Sequence, residues 1–276
     1  MILWLASYPK SGNTWTRILI SQLISKNNNE LNFYEEAKKI DNYPEPKYFN
    51  KLVKDTSNRE EIIKNWLYSQ NILCLKNETQ IFKTHNILGS FGEFAFTNAE
   101  VTAGVIYIVR DPRNIISSVQ NHFSLNNIFD AKNFILDKNK WIGGKKRVDT
   151  FISSWNYHYL SWKSFKKNYH LIKYEDLVKN TKEEVIKLIV YLKKFFEVNV
   201  KENEIDKIIK NASFESLQNL ENKGEFDENT KNKITGKKNK FFRLGPSNNW
   251  KKYLDKEICK ELESKFEKEM KELGYL

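Results

Sequence analysis

Ser7–Tyr8–Pro9–Lys10–Ser11–Gly12–Asn13–Thr14–Trp15 is the stretch that most constrains this chain. It follows an apolar run, Ile2 to Leu5, that reads as a buried parallel strand because few polar residues interrupt it. After it, Trp15, Ile18, Leu19 and Leu23 recur at helical spacing, with Arg17 and Gln22 off that stripe. The order is strand, tight loop, helix. Such a loop aims backbone N–H groups and a helix N-terminus at one point, which favours a phosphate or sulfate. Gly12 permits close backbone approach, Lys10 adds a mobile full charge, and Ser11, Asn13 and Thr14 offer further donors. The common nucleotide loop of this geometry, G-x-x-x-x-G-K-[ST], is absent: lysine precedes the glycine, and Pro9 stiffens the entry. Taken alone, the loop also fits an ordinary strand-to-helix turn with a surface lysine.

The rest of the chain supports an α/β domain. A length of 276 residues is ample for a sizeable core. The formal charge of +11 fits nucleic acid, a membrane surface or an anionic small ligand. The lysines are scattered among acidic residues, so no specific nucleic-acid partner is expected. Cys74 and Cys259 form neither a disulfide framework nor a metal-ligand spacing, and they read as reduced thiols. The N-terminus lacks a basic leader and no apolar run is long enough to span a bilayer, so the expected location is cytoplasmic.

Residues 26–70 are polar, with scattered aromatics from Phe33 to Trp66, and Pro44 and Pro46 break any long helix. They read either as a cover over one end of the sheet that lines an acceptor pocket or as a surface helical excursion. Ile81 and Phe82 mark a strand in which Lys83 and His85, two residues apart, point the same way. A lysine and a histidine at a strand's C-terminal end suit charge stabilisation and general-base work, and a structural histidine is the plain alternative. Residues 103–109 form the clearest strand. It runs into Arg110–Asp111–Pro112, with Pro112 in the first turn of the next helix. Arg110 there needs an anion, either a carboxylate or a ligand phosphate. Asp111 is also readable as a metal-binding acid, although no metal site is expected.

Residues 124–149 read as a polar loop, with Lys145, Lys146 and Arg147 as a basic cluster. Phe151, Ile152, Trp155, Tyr159 and Trp162 mark a helix, with His158 on it either packed or at the surface. Tyr169–Tyr174 is a short strand. Thr181 and Glu184 fit a capping box. A helix is expected around Glu204–Lys210. Residues 221–240 read as a flexible loop or lid. Ile258, Leu262, Phe266, Met270 and Leu273 share one stripe of a C-terminal helix.

Together these segments resemble the cytosolic-type sulfotransferases that use 3′-phosphoadenosine 5′-phosphosulfate, and the resemblance runs from Tyr8 to Trp250. Tyr8–Trp15 resembles the 5′-phosphosulfate loop, where a threonine is commoner at Asn13. Lys83–Thr84–His85 resembles the segment with the catalytic histidine. Arg110 with Ser118 resembles the 3′-phosphate site. Tyr174, Ser213 and Phe214 resemble adenine contacts. Arg243–Leu244–Gly245, ending at Trp250, is similar to the family's Arg-Lys-Gly-x-x-Gly-Asp-Trp element, and Phe242 just before it is counted with the donor site. Leu244 stands where a lysine is usual, and Asn248 and Asn249 replace Gly-Asp. The animal dimerisation motif is not recognisable in Lys251–Lys260, which leaves a homodimer open without that route.

The resemblance implies a single domain over 1–276. Its fold would be a three-layer α/β/α arrangement with a central parallel sheet, like the P-loop nucleoside triphosphate hydrolases. It implies His85 as base, with Lys10 and Lys83 stabilising charge. It also implies adenosine 3′,5′-bisphosphate as product, no required metal, and a small-molecule or sugar acceptor. A nucleotide-dependent phosphotransferase of the same fold and a non-enzymatic polyanion-binding protein are the alternatives.

Overall fold

The computed structural model describes residues 1–25, 33–144, 147–232 and 235–276. Its centre is a five-stranded sheet in the order Asp41–Asn42, Gln80–Thr84, Ile2–Ser7, Thr102–Val109 and Tyr169–Lys173, with every pairing parallel. Ala6 lies opposite Thr84 on one side and Tyr107 on the other. The four longer strands therefore finish near one level, and their C-terminal ends form a common edge. Parallel strands need crossovers, which here are helices and irregular segments over both faces.

Strand alternation divides the core in two. Ile2, Trp4 and Ala6 face one way with Phe82, Val105, Tyr107 and Val109. Leu3 and Leu5 face the other way with Ile81, Ile106, Ile108 and Ile172. Helix Asn13–Ile24 covers the second face with Ile18, Leu19 and Leu23. Helix Pro112–Phe123 covers the first with Ile115, Ile116 and Val119.

Several expectations need correction. The aromatics of 26–70 are mostly core. Tyr43, Phe49 and Trp66 are buried, and Trp4 packs on Tyr43 and Phe96 at ring separations of 5.5 and 5.4 Å. Residues 124–149 are not a loop. They hold helix Ile128–Leu136 and the first strand of the hairpin Trp141–Gly144 with Arg147–Phe151, because Ala131, Phe134 and Ile135 give the helix a buried stripe. Lys145 and Lys146 lie outside the described residues. Phe151 belongs to that hairpin, so the following helix begins at Trp155. The capping box at Thr181 does not form, since Thr181 Oγ1 donates back to Leu177 O. The C-terminal stripe is carried by two helices, Lys256–Lys265 and Glu267–Leu273, with Phe266 between them at φ −116°. Residues 221–223 end helix Phe214–Lys223, which stops at Gly224 in the left-handed region. Among the described residues, no helix is long and apolar enough to cross a membrane.

Trp66 tests the assignment of these aromatics to the core. It is 1% exposed and meets Phe96 edge-on at 5.3 Å. Trp66→Ala should cost about 3–5 kcal/mol in chemical denaturation. A loss below about 1 kcal/mol would place Trp66 on a tolerant surface instead.

Candidate active site

Each of the four longer strands delivers its next residues to one cavity of about 790 Å³ at the C-terminal edge. Strand Ile2–Ser7 leads into the loop 8–12, Gln80–Thr84 into His85, Thr102–Val109 into Arg110, and Tyr169–Lys173 into Tyr174. Open α/β sheets bind ligands at this edge. Lys83 sits in its strand beside Leu5 and lines the same cavity.

Lys10 turns the loop with φ +69°, and Gly12 follows at φ +106°. A Cβ on Gly12 would lie 2.6 Å from the Tyr174 ring. The bare Gly12 thus makes room for Tyr174, a constraint the sequence did not reveal. Helix Asn13–Ile24 then points its N-terminus into the cavity, where its first N–H groups have no intrahelical acceptor. The Asn13 side chain is spent elsewhere: Nδ2 donates to Leu5 O at 3.2 Å and to Ser7 Oγ at 3.1 Å. The donor it leaves toward the cavity is therefore the backbone N–H.

His85 is fixed from behind. Its Nδ1 lies 2.7 Å from Ser7 O, an acceptor, so that nitrogen carries the proton. Nε2 is left with its lone pair and no protein partner among the described residues. Burial first, then Lys83, pushes the imidazole down to about 3, which keeps it neutral. His158 is buried behind it, with Nε2 3.1 Å from His85 O and Nδ1 2.8 Å from the Tyr107 hydroxyl. The sequence left His158 either packed or on the surface, and the structure buries it completely.

Cations gather at the loop and beside it. Burial lowers Lys10 to about 7, helped by Arg110 and Lys83 against the pull of Glu228. Lys83 is also lowered, first by burial. Lys10 Nζ rests 3.5 Å from the Phe241 ring centre. Arg110 lies 4.1 Å over Tyr174 and donates to Lys10 O at 3.2 Å. Tyr174 in turn meets Trp15 edge-on at 5.8 Å. Asp111 is occupied by Arg113, which it holds through both oxygens while also capping helix Pro112–Phe123. It is an ion-pair partner, which corrects its reading as a free metal-binding acid.

The remaining sequence candidates are spread around the rim. Ser118 lines the cavity from helix Pro112–Phe123. The Ser213 hydroxyl caps helix Phe214–Lys223 by accepting from Ser216 N. Phe214 fills the space above Gly245, whose Cβ would stand 2.4 Å from the ring. Phe242 is buried, Arg243 is exposed, and Leu244 precedes the turn Gly245–Ser247. Asn248, one of the departures from the family pattern, pins this segment by donating to Asn114 O at 2.8 Å.

Three site residues escaped the sequence reading. Arg17 stands one turn after Thr14 and is 5% exposed. Its i+3 spacing from Thr14 was an available signal. Glu228 accepts from Thr14 Oγ1 at 2.8 Å and pairs with Arg17. Nothing in its polar neighbourhood marked it. Phe241 lines the cavity under Lys10 Nζ, and an aromatic next to Phe242 carries no sequence signal of that contact.

A parallel α/β sheet with an anion-binding loop at its carboxyl edge is the P-loop-like fold. A sequence model of the sulfotransferase domain matches residues 2–274, and the chain belongs to that family. It is 28% identical to luciferin sulfotransferase of Photinus pyralis over 266 residues, covering 92% of this chain and 67% of that protein. It is 23% identical to amine sulfotransferase of Oryctolagus cuniculus, covering 96% of this chain and 79% of the relative. Among solved structures, mouse sulfotransferase SULT7A1 complexed with PAP aligns with TM-score 0.62 at 21% identity, covering 98% of this chain and 84% of that one. Retinol dehydratase in complex with androsterone and inactive cofactor PAP aligns with TM-score 0.61 at 20% identity, over 98% and 80% of the two chains.

The contact between Gly12 and Tyr174 predicts a measurable epistasis. Gly12→Ala should destabilise the fold through both the clash and the left-handed backbone, by at least about 1–2 kcal/mol. Tyr174→Ala in the same chain should recover the clash and leave the backbone cost. Strictly additive losses in the double-mutant cycle would remove this contact from the account.

Proposed function

We propose that this enzyme transfers the sulfuryl group of 3′-phosphoadenosine 5′-phosphosulfate to a hydroxyl or amine of a small-molecule or sugar acceptor. The observation that carries the reading is the His85 tautomer. A neutral imidazole with Nδ1 tied to Ser7 O presents Nε2 as a base in the cavity that Lys83 and Lys10 also line. The names of the relatives and the PAP in the related structures support the donor class.

The residues fit an anionic nucleotide. Among the described residues, Ser11 Oγ, Trp15 Nε1, Arg17 Nε and Arg110 Nε are buried polar atoms with no hydrogen-bond partner. All can donate, and buried donors left unpaired are costly. When bound, the donor supplies an activated sulfuryl group. His85 Nε2 takes the proton from the acceptor hydroxyl or amine. Lys10 neutralises charge on the leaving phosphate oxygen, and Lys83 with the loop N–H groups holds the oxygens around the transferred group. Arg110, Ser118 and Arg243 select the 3′-phosphate. Trp15, Tyr174 and Phe214 enclose the adenine. Lys38, Asp41, Glu45 and Arg147 join Ile40 and Ile142 on the acceptor side, so this wall mixes charge with apolar surface.

His85→Ala and Lys10→Ala should each lower turnover by about 10²–10³ with the fold intact, as loss of one preorganised group does. Turnover within about threefold of wild type in either variant would remove that residue from the mechanism.

Donor binding should also depend on pH. Lys10 titrates at about 7 in the free protein, and a bound anion favours its charged form. Below that value Lys10 is charged in both states and affinity is flat. Above it, binding takes up a proton and affinity falls as pH rises. Calorimetry of adenosine 3′,5′-bisphosphate in buffers of different ionisation enthalpy should show this uptake at pH 8.5, reduced in Lys10→Met. Constant affinity from pH 6 to 9 would contradict it.

A further inference from the structure

Four charged residues stand on the acceptor side of the cavity: Lys38, Asp41, Glu45 and Arg147. Two of them are spent. Asp41 accepts from Lys47 Nζ and from the Tyr48 hydroxyl, each at 2.6 Å. Lys38 pairs with Glu35 at 2.7 Å and with Asp227 at 2.8 Å. The other two are free. Glu45, half-buried, and Arg147, exposed, form no ion pair among the described residues, either with each other or with a third group. The rings carried by the same segments do not compensate, because they are turned into the core. Tyr43 packs on Trp4 at 5.5 Å, and Trp141 packs on Phe91 at 5.4 Å and on Phe151 at 4.8 Å. Charge rather than ring stacking is therefore what these segments offer a ligand.

Both free charges are carried toward His85 on fixed backbone. Strands Asp41–Asn42 and Gln80–Thr84 run parallel with Asn42 beside Lys83, and Tyr43 N donates to Lys83 O at 2.9 Å. Pro44–Glu45 and Thr84–His85 therefore leave the sheet edge side by side. Arg147 opens the second strand of the hairpin, Arg147–Phe151. The far end of that strand is tied to the residues just after His85. Phe151 N donates to Asn86 Oδ1 at 3.0 Å, and Ile87 N donates to Phe151 O at 2.8 Å. Asp149, between the two ends, pairs with Arg59 at 2.6 Å. Both free charges act on Lys83. Burial lowers it first, Arg147 lowers it further and Glu45 opposes them, so the two stand around one ammonium group.

We infer that the acceptor is a zwitterion of the hydroxy amino acid class, with Glu45 taking its ammonium group, Arg147 its carboxylate, and its hydroxyl at His85. The inference rests on the reaction proposed above and narrows its acceptor. An ammonium group has no lone pair, so the hydroxyl is the nucleophile. His85 Nε2 takes the hydroxyl proton, the acceptor oxygen bonds to sulfur, and the bond from sulfur to the bridging phosphate oxygen breaks with its electron pair left on the phosphate. Charge-assisted contacts of this kind are about twice as strong as neutral ones, and a guanidinium can meet a carboxylate through two N–H groups. A cation alone is repelled by Arg147, and an anion alone is repelled by Glu45, so the pair selects for a molecule with both charges.

The test uses four phenols with the same ring and hydroxyl: tyrosine, tyramine, para-hydroxyphenylpropanoate and para-ethylphenol. In that order they carry both charges, the cation, the anion and neither. The kcat/KM with 3′-phosphoadenosine 5′-phosphosulfate should be highest for tyrosine, by at least about tenfold over para-ethylphenol. Glu45→Gln should cut the preference for tyrosine over para-hydroxyphenylpropanoate about tenfold, and Arg147→Gln should cut the preference for tyrosine over tyramine by a similar factor. Loss of a merely structural residue would lower all four alike and leave these ratios unchanged. Thermal melts confirm that both variants are folded. No turnover of tyrosine, a preference for para-ethylphenol, or ratios unmoved by the two variants would overturn the inference. Calorimetry of adenosine 3′,5′-bisphosphate on the same protein separates the failures. If it binds, the donor assignment stands and only the acceptor class falls; if it does not bind, both fall.

Discussion

Lys10, Lys83, Arg17 and Arg110 are enclosed at one sheet edge, and like charges held together out of water raise the free energy of the fold. Among the described residues, Lys10, Lys83 and Arg110 form no ion pair with a carboxylate, and Arg17 is held by Glu228 alone. Burial first, with Arg110 and Lys83 adding to it, lowers Lys10. Such an arrangement is tolerable only if the rest of the molecule is stable enough to hold it, and it is useful only to an anion. The two cores on either face of the sheet provide that stability, and the anion is what the site is built to receive.

The frame of the site is a set of contacts in which one residue's shape dictates another's identity. Tyr174 claims the space where Gly12 lacks a side chain, and Phe214 claims the space at Gly245. Arg110 stacks on Tyr174, while its carbonyl accepts from the Trp155 indole at 3.1 Å. Ser7 O fixes the His85 tautomer, and Asn13 Nδ2 ties helix Asn13–Ile24 back to the strand that bears Ser7. His85 and the loop that follows Ser7 are therefore mechanically linked through the backbone of the strand Ile2–Ser7. A rigid frame of this kind lets charges be preorganised before substrate arrives.

Much of this was legible in the chain. Uninterrupted apolar runs marked the strands at 2–7 and 102–109 because a central parallel strand is buried on both faces. Arg110 and Tyr174 follow strands directly, so their place at the carboxyl edge came with the strand assignment. The helix at 128–136 was masked by its polar flanks. Segment 26–70 read either as a pocket-lining cover or as a surface excursion, because a single segment does not reveal which of its side chains, such as Tyr43, Phe49 and Trp66, the sheet will cover. Arg17 carried a readable spacing, but an arginine off the apolar stripe reads first as solvated.

The sequence by itself determined the strand–loop–helix unit, the parallel α/β class and the basic residues that would meet an anion, since these depend on local periodicity and on neighbours in the chain. Only the tertiary structure decided that the Asn13 amide turns back to the strand, that Gly12 yields to Tyr174, and that Glu228 reaches Thr14 and Arg17 from more than 200 residues away. Those are contacts between segments remote in sequence. Their energies arise from packing and from charge at short range, and neither quantity exists until the chain has closed on itself.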